Sequence, residues 1–175
     1  VAETGLSFVE NAIIKARHAS HFTGLPAIAD DSGIEVDELN GAPGIRSARY
    51  AGDSASDADN TAKLLLGLST TETDNRQARF RCEVVFVRHE LDASPVICSG
   101  TWVGRIAETP RGENGFGYDP VFLVGNGQKS AAELSAEEKN RISHRGQALA
   151  QLVVRLKELG IGSSLGALQS GRKKI

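Results

Sequence analysis

Apolar and polar positions change period several times along this chain, and each change marks an element. Phe8, Ala12, Ala16 and Ala19 recur at helical spacing, with Ile13 beside them. Ser7 and Glu10 stand before that stripe as N-cap and N3 of a capping box, and Thr23-Gly24 closes it. A first helix is predicted between them. Leu25 to Ala29 is a short apolar run of buried-strand type. Asp30-Asp31-Ser32-Gly33 interrupts it, and Ile34 and Val36 suggest a strand that continues and then breaks. Asn40-Gly41-Ala42-Pro43-Gly44 is turn chemistry throughout. Ser56 to Leu68 reads as a second helix, with Asp57 and Asp59 in the first turn, where the helix dipole favours acids.

From Arg79 to Arg88 the period drops to two. Phe80, Cys82, Val84 and Phe86 share one face, with polar residues opposite at first. Val96 to Ile106, which contains Trp102, is the antiparallel partner expected across a hairpin loop at Glu90 to Pro95. Arg111 to Gly117 is a glycine-rich loop, and Val121 to Val124 is another strand of buried type. Ser135 and Glu138 form a second capping box, opening a helix near Ala136. Between Ser143 and Leu159, Leu149, Leu152, Val153 and Leu156 fall at helical spacing. The stretch from Gly160 is rich in Gly and Ser, ends Arg172-Lys173-Lys174, and is expected to fray. There is no internal repeat, and helices interleaved with a long hairpin give an α/β or α+β class.

Composition narrows the picture. A chain of 175 residues, 40% hydrophobic and 24% charged, has the size and content of one soluble domain, and a collagen, a disordered tail and a disulfide mini-protein are excluded. The formal charge of −2 offers no general attraction to nucleic acid or anionic lipid. A phosphate-bearing ligand must therefore be held by local cations. No apolar run approaches the roughly 20 residues of a membrane helix. Cys82 and Cys98 sit in strand-like runs, which suits buried free thiols in a reducing compartment, the cytoplasm.

Three places carry candidate chemistry. Asp30 and Asp31 are adjacent acids at an apparent strand end, and oxygen donors of that kind suit Mg²⁺ or accept a proton from water. A solvated turn is the competing explanation. Gly115-Phe116-Gly117-Tyr118-Asp119-Pro120 brackets an aromatic with glycines, which lets a backbone approach a ligand and offers a flat face to a base. A hairpin loop with a buried Phe accounts for it equally well, and Tyr118 either anchors the loop or touches a ligand. Lys139, His144 and Arg145 straddle the end of one helix and the start of the next, making an anion or carbonyl-oxygen site or a solvated face. Arg46 and Arg49 are further cations, whereas His18, His21 and His89 have the look of surface histidines. Glu10 either closes its capping box or turns toward the Asp pair. Together these features describe an acidic metal corner, a stacking aromatic and a positive reader of polar edges, as in a Mg²⁺-type nucleotide-phosphate site.

Five motifs in order resemble the inosine/xanthosine triphosphate pyrophosphatases. They are Thr4 to Ala12, Ala29 to Gly33, Gly41 to Gly44 with Ser47 to Tyr50, Gly115 to Pro120, and Ser143 to Arg145. The resemblance runs from Glu3 to about Leu159. It implies an α/β fold with a mixed, elongated central sheet, flanking helices and two lobes around a substrate cleft. It implies a Mg²⁺-dependent homodimer that hydrolyses ITP, dITP and XTP to the monophosphate and pyrophosphate. Asp31 matches the proton acceptor and metal ligand, and Ser32 a substrate contact. Phe116, Gly117, Tyr118 and Asp119 match the loop on base and sugar, Lys139 a substrate-binding lysine, and His144 with Arg145 the base readers. Residues 1–160 are then one pyrophosphatase domain and 161–175 a flexible tail.

Family members ordinarily begin with a strand, a phosphate loop of pattern Ser/Thr-x-Asn-x-x-Lys and a helix, none of which precedes Val1. The expectation is that such a segment belongs to the native protein. Without it, the resemblance implies a missing strand and a weakly active or non-catalytic nucleotide binder. An acid is frequent at the position of Ala2, so a second metal ligand is not evident. A pyrophosphatase for pyrimidine or modified nucleotides is a further alternative, against which Ser143-His144-Arg145 argues.

Overall fold

Residues 1–125 and 127–161 are described by the structure, a computed structural model. Five strands form one sheet in the order of the chain: β1 (Ala27–Val36), β2 (Gln77–Val87), β3 (Val96–Ile106), β4 (Phe122–Val124) and β5 (Lys129–Ser130). Every neighbouring pair is antiparallel. Four helices accompany them: α1 (Phe8–Thr23), α2 (Asp57–Gly67), α3 (Ala136–Ile142) and α4 (His144–Glu158). The α/β class and the long central hairpin are as the pattern predicts.

The alternation along β2 decides the layers. Cys82, Val84 and Phe86 face one way, against Cys98 of β3 and Ala148 and Leu152 of α4. Val85 and Val87 face the other way, against Ala12 and Ala16 of α1. The two helices thus cover opposite faces of the sheet. Further along the α4 face, Ile34, Phe80, Trp102 and Phe122 join Leu64 and Leu68 of α2 in the main core. Burying a side chain of this size stabilises the fold by roughly 1.5–3 kcal/mol.

Local capping follows the sequence closely. Ser7 Oγ accepts from Glu10 N at 3.3 Å, and Gly24 (φ 66°) donates to Ser20 O at 2.8 Å. Ser56 with Asp59, and Ser135 with Glu138, close reciprocal boxes. Ser143 ends α3 and caps α4, accepting from Gly146 N at 3.2 Å. Gln151 Nε2 of α4 donates to Ser99 O at 2.9 Å, fastening the helix along the outer edge of β3.

Several expectations change. Asp30 to Gly33 does not interrupt or end a strand, because β1 runs through it, each residue paired with β2 from Asp30↔Val84 to Gly33↔Arg81. The preceding run is not buried. Leu25, ahead of β1, and Ile28 on it are exposed. On α4 the inward face is Ala148 and Leu152, while Leu149 and Val153 are exposed, since a close helix-to-sheet approach takes the small side chain rather than the large one. The 3₁₀ turn Asp119–Val121 delays β4 to Phe122, and β5 has no sequence signal of its own. The frayed tail expected beyond Gly160 lies, from 162 on, outside the described residues.

Candidate functional site

Because side chains alternate along a strand, the tandem aspartates of β1 point to opposite faces of the sheet. They do not gather one ion between them. Asp30 and Ser32 lie on the α4 face, and Ser32 Oγ donates to Asp30 Oδ2 at 3.0 Å. Asp31 lies on the α1 face and is buried. Among the described residues β1 pairs with one strand, β2.

On the α1 face Lys15 Nζ stands 2.6 Å from Asp31 Oδ1 and 3.0 Å from Glu3 Oε1. Asn11, fully buried, donates to Asp31 Oδ2 at 3.5 Å and accepts from Gly5 N at 2.8 Å. Arg49 Nη1 pairs with Glu3 Oε2 at 3.4 Å. Burial and the charge of Glu3 outweigh Lys15 and Asn11, so the Asp31 carboxyl is held above the usual aspartate value. Burial also works to raise Glu3, but Lys15 and Arg49 bring it below the usual glutamate value. Glu10 turns away from the pair; its carboxylate accepts from Leu6 N at 2.7 Å and from Ser7 Oγ at 3.0 Å. Arg46 is exposed and outside this network.

Two carboxylates converging on one cation are a donor set that fits a hard divalent ion. Among the described residues no three His, Cys, Asp or Glu side chains gather to cage a metal alone. Mg²⁺ commonly takes one or two protein carboxylates, with water and phosphate oxygens completing its shell. Glu3 and Asp31 are the residues that could meet that requirement.

On the other face lies a cleft of about 740 Å³. Ser32, Phe116, Gly117, Tyr118, Asp119, Lys139, His144 and Arg145 all line it, and Asp31 alone of the expected set does not. Phe116 is 64% exposed. Lys139 Nζ stands 4.7 Å and Arg145 Cζ 6.0 Å from its ring centroid, so two cations border one aromatic ring. Asp119, buried, organises this wall: it accepts from Phe116 N at 2.8 Å and is paired with Lys139. Gly117 N donates to Asp57 Oδ2 at 2.6 Å, tying the loop to the start of α2. Tyr118 is the loop's anchor. Its buried hydroxyl donates to Ser47 O at 2.8 Å, and burial raises its ionisation well above the usual tyrosine value.

His144 stacks on Phe80 with centroids 4.7 Å apart and planes 8° from parallel. Burial, then the charges of Arg145 and Lys139, push its pKa down to about 4, so the ring is neutral near pH 7. Its Nδ1 is buried and makes no protein hydrogen bond. Arg145 donates to Asp30 Oδ2 from Nη2 at 2.8 Å and from Nε at 3.1 Å. The cleft therefore offers a flat face, a neutral imidazole and two cations already partnered by carboxylates, an array of directed donors rather than bare charge.

Lys15 and Glu3 lie outside the quoted motifs, and Asn11, inside Thr4 to Ala12, was given no role there. Asn11 and Lys15 lie four apart on α1, each one residue before a buried alanine, Ala12 and Ala16. Polar residues bordering an apolar stripe in that way are the signal that could have found them.

The α/β fold thus places a carboxylate pair around Lys15 on one face of β1 and an aromatic-walled cleft on the other. The Ham1 family profile matches residues 1–155, and the chain belongs to that family. It is 61% identical over 157 residues to a dITP/XTP pyrophosphatase of Methylococcus capsulatus, covering 90% of this chain and 78% of that protein. A Vibrio cholerae dITP/XTP pyrophosphatase is 56% identical over the same shares. The solved HAM1 protein of Coxiella burnetii superposes with a TM-score of 0.85 at 55% identity, over 90% of this chain and 80% of that one.

Proposed function

We propose that this protein hydrolyses non-canonical purine nucleoside triphosphates, of the dITP and XTP class, to the monophosphate and pyrophosphate. The observation that carries the reading is the cleft walled by Phe116, Lys139, His144 and Arg145, whose lining residue Ser32 is next to the buried Asp31 on β1. The names of the similar relatives support it. The purine stacks on Phe116. Lys139 and Arg145 donate to its 6-oxo oxygen, whereas the 6-amino group of adenine would meet donors with a donor. Sites built around such a hydrogen bond discriminate by roughly 10⁴ or more.

The polyphosphate extends past Ser32 toward Asp31, the next residue back along β1. Glu3 and Asp31 are the residues that would hold Mg²⁺, which when bound neutralises phosphate charge. Asp31 accepts the proton of the attacking water. Lys15 and Asn11 fix the orientation of that carboxylate. No helix among the described residues is long and apolar enough to cross a membrane. The cytoplasm is the proposed compartment, in keeping with the free, buried Cys82 and Cys98, and a homodimer the proposed assembly.

The test is pyrophosphate release from dITP and dATP with Mg²⁺, for the native sequence and Arg145→Ala. Selective turnover of dITP, with selectivity lost in the variant, is expected. Equal turnover of both nucleotides by the native sequence refutes the base reading. Binding of inosine nucleotides without pyrophosphate release points instead to a non-catalytic nucleotide binder.

A further inference from the structure

Asp30 takes no part in the reaction as proposed, yet it accepts more hydrogen bonds from the cleft than any neighbour on β1. Its Oδ2 receives Arg145 Nη2 at 2.8 Å, Arg145 Nε at 3.1 Å and Ser32 Oγ at 3.0 Å. The Cys82 thiol approaches the same oxygen at 3.7 Å. Burial works to raise this carboxyl, but Arg145 and Ser32 bring it below the usual aspartate value, so it is ionised near neutral pH. The grip covers one edge of the guanidinium, Nε and Nη2. The Nη1 amino group is the part of the fork that Asp30 does not engage.

We propose that Asp30 is the positioning residue for base selection: it holds Arg145 by one edge so that the Nη1 end is presented to the oxo edge of a purine stacked on Phe116. This rests on the purine reading of the cleft. Two physical consequences follow. A guanidinium fixed by a carboxylate loses little freedom when it donates, so its direction discriminates between an oxygen and an amino group. A guanidinium whose charge is neutralised is also a poor site for phosphate. An unpaired Arg145 would attract the polyphosphate to the base end of the cleft and compete with the productive orientation. Asp30 and Asp31 are adjacent on a strand fixed by its ladder to β2, so base reading and the reacting carboxylate share one rigid support.

The test is a double-mutant cycle on binding, which needs no turnover. Affinities for IMP, AMP and inorganic pyrophosphate are measured by calorimetry for the native sequence, Asp30→Asn, Arg145→Gln and the double variant. Asp30→Asn should lower the IMP-over-AMP preference about tenfold, as expected for losing hydrogen bonds to a charged group. It should also tighten pyrophosphate binding. The double variant should be no less selective than Arg145→Gln, because Asp30 acts through Arg145. Asp30→Glu keeps the charge and should retain most of the preference. It is the variant that is read if Asp30→Asn does not give a native melting transition. Preserved preference in Asp30→Asn, or losses that add in the double variant, overturn the proposal while leaving the purine reading in place. A native protein that binds IMP and AMP equally overturns both.

Discussion

Gly100 on β3 is where the sheet admits the start of α4, and Gly100→Ala tests how closely the base-reading residues depend on that approach. A Cβ built at Gly100 would stand 1.9 Å from the His144 carbonyl oxygen, 2.8 Å from its carbon and 3.0 Å from Ala148 N. All three are backbone atoms, so no side chain can swing aside. Ordinary van der Waals contact begins near 3.4 Å, and 3.4 − 1.9 leaves α4 or β3 to give way by up to 1.5 Å. That displacement would open the contact of Ala148 and Leu152 with Cys82 and Val84, all now at most 2% exposed. Overpacking of this kind costs about 1–3 kcal/mol, and the upper end applies where only backbone can move. At about 2–4 °C per kcal/mol for a chain of this size, the melting temperature should fall by roughly 6–12 °C. His144 and Arg145 ride on the displaced turn, and a misplacement of about 1 Å can cost on the order of 100-fold in catalysis. Thermal melting by circular dichroism and kcat/KM for dITP read the two effects. A variant melting within about 2 °C of the native protein, with unchanged kcat/KM, would refute the reasoning.

Asp31→Asn should lower kcat for dITP by about 10²–10⁴ while leaving nucleotide affinity largely intact, the mark of a lost proton acceptor; near-native kcat removes Asp31 from that role. Phe116→Ala should weaken nucleotide binding by about 1–3 kcal/mol of lost base stacking. Its ring is mostly exposed, so the melting temperature should hardly move; a large drop in melting would assign Phe116 to packing instead. His144 stays neutral in the fold, with its pKa pushed down to about 4 against 6.5 for a free imidazole. Between those pH values the unfolded chain takes up a proton that the folded chain refuses, so stability falls as pH falls through that window. The loss from this group by pH 4.5 is about 2–3 kcal/mol. Urea unfolding at pH 7 and pH 4.5 should therefore show a smaller pH difference for His144→Phe than for the native sequence, and an equal difference contradicts the burial argument.

Helix caps, the period of two along β2 and β3, and the grouping of Phe116, Lys139, His144 and Arg145 were legible in the sequence, because they depend on residues a few positions apart or on motifs carried intact. The Ser7, Ser56, Ser135 and Ser143 caps satisfy orphan backbone donors wherever the rest of the chain lies. Directions were not legible. Asp30 and Asp31 read as one acidic corner, and only the pairing of β1 with β2 turned one toward Arg145 and the other toward Lys15. Leu149, Leu152, Val153 and Leu156 fell together at helical spacing, and the sheet chose Ala148 and Leu152, with Gly100 letting the backbones close near Ala148.

Glu3 and Lys15 show the same division. Local sequence makes one an acid beside a turn and the other a cation on a helix, and nothing in their spacing joins them to Asp31. What the sequence by itself determined is therefore the elements, their ends and the chemical types available to a site. The tertiary structure alone decided which face each group serves, because that depends on strand pairing and on contacts between residues far apart in the chain.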